Sequence, residues 1–379
     1  MTRLHFPEDP NLDHLRGQAR TLLRKLRERD ARAAALLAEH HPNPPVAPRL
    51  SDAQLTLARA YGFTSWPDMH RHLDVVAAHT RSPHKVAELD DPAAELLRLG
   101  CLRYGGDDLL DHARARGLLA ADPQLGAASV YTAAATGNRP AAERLLAADP
   151  AAASRPGGPF DWVPLLYLAY SRIDPEDADH LGVARLLLRH GADPDAGYVW
   201  GGICAFTALT GAFGGGEDRG NQPPHRDSRA LARLLLEAGA DPNDAQALYN
   251  RQFGPDDGHL RLLIEFGLGR GDGGPWRALL RGYSPQALLE DQLSVAAEND
   301  RPQWARLALD AGADPDGLGT RHPIRHALRP YELAIRRGNR EVAALLLAAG
   351  ARPAPPDPVA DLVTACLAGD RDAATAADP

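Results

Sequence analysis

Apolar residues recur with helical spacing along most of this chain, and one phrase closes segment after segment. Leu186 to Pro194 reads LLLRHGADP, Leu234 to Pro242 reads LLLEAGADP, Leu307 to Pro315 reads LALDAGADP, and Leu345 to Pro353 reads LLLAAGARP. Weaker copies end at Pro123 and Pro150. Each phrase predicts the end of an amphipathic helix. Gly191, Gly239, Gly312 and Gly350 supply the left-handed residue just past it, and Asp-Pro opens an extended loop because Pro continues no helix. Recurrence of this kind is the pattern of a stacked repeat, in which each unit buries its apolar face against the next.

A second, shorter helix precedes each phrase. In Arg329 to Ala351, Pro330 occupies the first turn, where its missing N–H costs nothing. Leu333, Ala334 and Ile335 form a seam, Gly338-Asn339 a turn, and Val342, Leu345, Leu346 and Leu347 the second apolar face. This resembles the ankyrin repeat, with its T-P-L-H-x-A-A, G-N and V-x-x-L-L-x-x-G-A signature; here Arg stands at the first position and Tyr-Glu replaces Leu-His. Val130 to Asp149 and Leu293 to Asp314 match less fully, the latter with Asp300 where Gly is expected. Val163 to Tyr170, Thr207 to Ala212 and Ala247 to Gly267 read as further, altered units, and residues 93–123 as a degenerate first one. The resemblance implies an all-α fold, an ankyrin-repeat α-solenoid of six to eight irregular units over 93–379, similar to actinobacterial-type ankyrin proteins.

Standard ankyrin units run about 33 residues, and the excess falls in three insertions, 172–181, 195–206 and 213–228. The last is Gly-rich and fits a mobile loop as well as an ordered one. The second carries Tyr198, Trp200 and Phe206, which favours order.

Residues 1–80 lack the repeat. Apolar positions 12, 15, 19, 22, 23 and 26 predict one helix over 12–37, Leu50 to Tyr61 a second, and Trp66 to about Ala78 a third. This region reads as a helical cap domain for the solenoid, joined by a linker at 81–92.

Composition narrows the chemistry. The first 80 residues hold 11 basic and 9 acidic side chains and the remainder 31 and 41, which argues against nucleic acid or an acidic membrane as partner. No long apolar run or signal-peptide core is present. Cys101, Cys204 and Cys366 are too far apart for a disulfide framework or a zinc site. These features fit a cytoplasmic protein without metal or cofactor. Lys25 and Lys85 are the only lysines, so the repeats offer no Schiff-base or phosphate-loop lysine. His322 and His326 are four apart but straddle Pro323, a weak metal signature.

An ankyrin stack binds partners along the groove lined by its first helices and loop tips. The expected contacts are Trp162, Tyr167, Tyr170, Tyr198, Trp200, Tyr249, Arg251, Trp276, His322, His326 and Tyr331, since Tyr, Trp and Arg dominate binding hot spots. Trp162 and Trp276 also suit gap-filling in the core, and Trp304 is read as core. The leading expectation is a module that holds a protein or peptide in the groove. The alternative is a metal-independent cyclase or isomerase, with Asp161, Tyr249, Arg251 or His322 as acid–base groups beneath the inserted loops.

Overall fold

The computed structural model describes residues 11–321, 328–353 and 362, with 19 α-helices among them. The chain divides into two compact units, Met1–Ser82 with Tyr198–Ala205, and Pro83–Gly197 with Phe206–Pro379. No described helix is long and apolar enough to cross a membrane.

The first unit is built from α1 (Leu12–Arg27), α2 (Ala31–His40), α3 (Leu50–Ala60) and α4 (Trp66–His79). Two helices replace the single one expected over 12–37. Arg29 turns left-handed at φ 58°, and the Asp30 carboxylate then caps α2 by accepting the Ala33 N–H at 2.8 Å. Leu15, Ala58, Phe63, Met69 and Leu73 form one core, and Leu22, Ala33 and Ala53 another. Strand β1 (Thr80–Arg81) runs parallel to β2 (Gly197–Trp200), with Thr80 opposite Val199 and Arg81 opposite Trp200; β3 (Cys204–Thr207) follows at the sheet edge. The 195–206 insertion is therefore ordered, and its strands interrupt an otherwise helical fold.

The second unit is a succession of helix pairs. They are α5 (Pro92–Gly100) with α6 (Leu109–Ala121), α7 (Val130–Thr136) with α8 (Arg139–Ala148), α9 (Pro164–Tyr170) with α10 (His180–Arg189), and α11 (Ala208–Phe213) with α12 (Ser228–Glu237). Next come α13 (Ala245–Arg251) and α14 (Gly258–Glu265), then the short α15 (Gly274–Leu280). The last pairs are α16 (Pro285–Glu298) with α17 (Pro302–Asp310), and α18 (Pro330–Arg337) with α19 (Arg340–Ala348). The first helices α5, α7, α9, α11 and α13 pack in that order, as do the second helices α8, α10, α12, α14, α17 and α19. Leu187, Leu235, Leu263 and Leu346 are fully buried along the second row.

The recurrent phrase has a definite geometry. Gly191, Gly239, Gly312 and Gly350 have φ between 84° and 106°, and Gly267, which lacks the Asp-Pro, has φ 103°. After α17, Gly312 N–H donates to Leu309 O at 2.9 Å and Ala313 N–H to Ala308 O at 3.0 Å, the paired bonds of a Schellman cap. The same pair closes α10, α12, α14 and α19. The residue after each glycine is buried because it completes the cap's apolar contact, which accounts for the Ala of Gly-Ala.

Candidate functional site

The expected aromatic row divides on inspection. Trp162, Tyr167 and Tyr170 are buried, as are all seven residues of α9. Tyr167 Oη donates to Gly157 O and accepts from Phe160 N–H, both at 2.9 Å, and Tyr170 Oη donates to Thr207 O at 2.9 Å. The rings of Phe160, Trp162, Tyr167 and Tyr170 form a contact cluster at centroid distances of 4.7 to 5.8 Å, Phe160 stacked on Tyr167 and the other pairs tilted. These three expected contacts are therefore corrected to core: the lengthened 155–163 loop folds onto α9 and needs large rings to fill the space. Tyr198 is likewise buried, whereas Trp200 is half-buried on β2. Trp276 is half-buried and donates its indole N–H to Asp195 O at 2.7 Å, a structural clamp on that loop.

Tyr249, Arg251 and Tyr331 remain half-buried. Tyr249 Oη donates to the Glu217 carboxylate at 2.6 Å and its ring packs edge-on against Phe253. Arg251 pairs with Asp256 at 3.2 Å. Asp161 is exposed in a tight turn at φ 52°. His322 and His326 lie outside the described residues. No group of His, Cys, Asp and Glu among the described residues has the arrangement of a metal site. Burial pushes the Cys101 thiol up to about 12, so it is no nucleophile at neutral pH.

The most concentrated polar chemistry lies where sequence periodicity gave no signal, around the 213–228 insertion. Arg172, 7% exposed, donates to Pro223 O at 2.7 Å, Gly211 O at 2.9 Å, Ser171 O at 2.6 Å and Ala169 O at 3.2 Å. Burial draws its guanidinium down to about 10, still cationic at neutral pH. Asp107 accepts Arg103 N–H at 2.7 Å, Tyr104 N–H at 2.9 Å and Gln222 Nε2 at 3.0 Å. Asp244 accepts the Thr207 and Thr210 hydroxyls and the Ala247 N–H; burial raises its carboxyl, which these bonds partly offset. His180 donates to Ala135 O at 3.1 Å and packs edge-on against His225, and burial holds both rings well toward the neutral form. Gly215 N–H donates to Gln222 O at 2.8 Å, and Gly214, Gly215 and Gly216 all have positive φ. The insertion is thus an anchored loop, held by the Gln222 amide and by backbone carbonyls.

A cleft of about 670 Å³ opens beside the α7–α8 turn, lined by Leu119, Pro123, Thr136 and Ile173 with Arg116 and Asp177 among its polar groups. No family model matches the chain, and no curated protein is significantly similar to it.

Proposed function

We propose that this chain is an ankyrin-type repeat scaffold that holds a protein or peptide partner. The observation that carries the reading is a ladder between successive loops. At three of the Asp-Pro pairs the residue that follows accepts the backbone N–H two residues beyond the next cap glycine on the chain: Asp195 from Asp241 at 2.8 Å, Asn243 from Gly269 at 2.9 Å, and Asp316 from Arg352 at 3.1 Å. A bond repeated at one position of three units ties neighbouring loops together, which supports a repeat scaffold that presents an extended face. The covered α9 moves the partner surface toward α13, α16 and α18. There Tyr249 and Tyr331 are half-buried and Phe253 and Tyr283 are 37% and 55% exposed, in the aromatic composition of a hot spot.

Selection of displayed peptides against the purified chain tests this. Enriched peptides should lose about tenfold or more in affinity for Tyr249→Ala and Tyr331→Ala, since hot-spot truncations cost about 1.4 kcal/mol or more. They should bind Leu110→Ala, a distant exposed position, as they bind the parent. Peptides indifferent to both tyrosines, or no enrichment at all, would remove the reading.

A further inference from the structure

The 213–228 insertion is tied down by Gln222 to Asp107, by Pro223 O to Arg172 and by Glu217 to Tyr249. At its C-terminal foot the anchor is a histidine. His225, 2% exposed, accepts the Asp227 N–H at Nδ1 over 3.0 Å. Its own N–H donates to Ala212 O at 3.2 Å, and its carbonyl accepts the Ser228 N–H at 2.9 Å. These bonds set the turn from the loop into α12, whose N-cap is Asp227. The His225 ring meets that of His180, 1% exposed, at right angles, with centroids 4.8 Å apart.

The backbone partners fix which nitrogen of each ring carries hydrogen. An N–H only donates, so His225 Nδ1 is bare and the ring proton sits on Nε2. A carbonyl only accepts, so His180 bears its proton on Nε2, facing Ala135 O at 3.1 Å; its Nδ1 is bare, buried and makes no hydrogen bond. A second proton therefore has no place in the closed arrangement. On His225 it would meet the Asp227 N–H head-on, and on His180 it would be a buried donor with no acceptor. Like charge opposes it as well. Arg172, just past α9, and Arg226 on the loop face His225; Arg226 also faces His180, where Asp174 and Asp227 are the opposing carboxylates. Helices α7 and α11, which accept or donate through their backbones here, carry no charged side chain.

We propose that His225 is a proton-operated latch on the 213–228 insertion. In the closed loop the neutral ring holds the Asp227 N–H. Uptake of a solvent proton at Nδ1 breaks that bond and frees residues 223–227 from His180, while the helices beneath stay folded. Linkage sets the size of the effect. Released into solvent, the ring returns to its ordinary value of about 6.5; closed, it is held well below that by burial and by His180, Arg172 and Arg226. Closure has its full advantage above that pH, and each unit below it raises the open-to-closed ratio by up to about tenfold.

Hydrogen exchange of the full chain, followed on peptides from 221–228 and corrected for the intrinsic exchange rate at each pH, tests this. Protection should be level between pH 8 and 7 and fall about tenfold per unit between pH 6.5 and 5, while α7 peptides stay better protected. In His225→Asn the side-chain oxygen accepts the N–H two residues on, as in an Asx turn, and does not titrate. That loop should stay closed and lose most of the slope. His225→Phe has no acceptor, and its loop should be poorly protected at every pH. Asp107 and Glu217 remain in all three chains, so the differences belong to the ring. Thermal melts at pH 8 verify that the variants fold, and the parent profile decides by itself if one does not. A flat parent profile, loss of α7 protection in step with the loop, a parent-like slope in folded His225→Asn, or parent-like protection in folded His225→Phe would overturn the proposal.

Discussion

The Asp195 carboxylate accepts the backbone N–H of Asp241 at 2.8 Å, across two loops 46 residues apart in sequence. Burial, with Asp193, Asp241 and Asp244 nearby, raises the Asp195 carboxyl to about 6, although the Asp241 bond opposes the shift. A carboxyl raised in the folded state contributes its stability below its unfolded pKa, near 3.8, and loses it as pH rises through about 6. At pH 8 the charge at Asp195 is therefore a net penalty, while the hydrogen bond it accepts is a gain. Asn243, one unit later, makes the same bond with a neutral amide oxygen. Asp195→Asn should thus melt at or above the parent temperature at pH 8, with the advantage gone at pH 4. Asp195→Ala, which strands the Asp241 N–H, should lose about 1–3 kcal/mol. A melting temperature for Asp195→Asn that falls as far as that of the Ala variant at pH 8 would contradict this balance.

Gly312 shows which property of glycine the caps use. A Cβ built there would meet nothing within 4 Å, and the same is true at Gly191, Gly239, Gly267 and Gly350. Space is free at these positions, and the constraint is the left-handed backbone alone. Gly312→Ala should therefore cost about 1–2 kcal/mol, and Gly312→Val more, because β-branched residues resist positive φ further. Equal urea midpoints for the two variants would mean that the cap is not left-handed in solution.

Leu346 is fully buried between α19 and the seam it shares with α17 and α18. Leu346→Ala leaves a cavity there and should cost about 2–5 kcal/mol. Leu347, one residue on and 41% exposed, should cost far less on the same change. The ratio of the two, read by urea denaturation, checks the helix phase as well as the burial.

Deeply buried histidines set the acid limit. Burial draws His112 down to about 4 and His259 to about 3, and lowers His180 and His225 in the same way. These rings stay neutral in the folded chain while unfolded histidine protonates below about 6.5. Their stabilising effect is complete above pH 6.5 and is lost as pH falls toward the folded values, at up to about 1.4 kcal/mol per pH unit for His112 and for His259. Asp195 and Asp244, whose carboxyls burial raises, act in the opposite direction over part of that range. The melting temperature should drop steeply between pH 6.5 and 4.5, and a flat profile would show that these rings are solvated in solution.

Much of the helical layout was legible because helix ends write themselves locally. Gly-Ala-Asp-Pro encodes the Schellman cap, its buried alanine and the exit of the chain within four residues. Gly137 and Gly338 close α7 and α18 at φ 65° and 73°, where the Gly-Asn turns predict, and Asp300 adopts φ 50° in the place of a glycine. The ladder from Asp195, Asn243 and Asp316 was not legible, because the sequence does not say which loops lie side by side. The burial of Trp162, Tyr167 and Tyr170 was not legible, because helix phase says which face is apolar and not what folds over the other face. The Arg172 and Asp107 contacts span 51 and 115 residues to Pro223 and Gln222, and no periodicity carries such a pairing.

Those long-range contacts make the 213–228 insertion the most testable part of the fold. Arg172 supplies the donors for four carbonyls, two of them, Gly211 and Pro223, flanking the glycine turn. Arg172→Met keeps the length and the apolar stem but strands those carbonyls, at a cost on the order of 3 kcal/mol or more. Gln222→Ala removes only the tie to Asp107 and should cost less. Arg219 and Arg226 are exposed on the loop and serve as trypsin sites. Cleavage needs the backbone to open locally, so its rate follows how firmly the loop is held. Cutting after Arg219 should accelerate strongly in Arg172→Met and mildly in Gln222→Ala, ahead of global unfolding. Cleavage as fast in the parent as in Arg172→Met would mean that the buried guanidinium does not hold this loop.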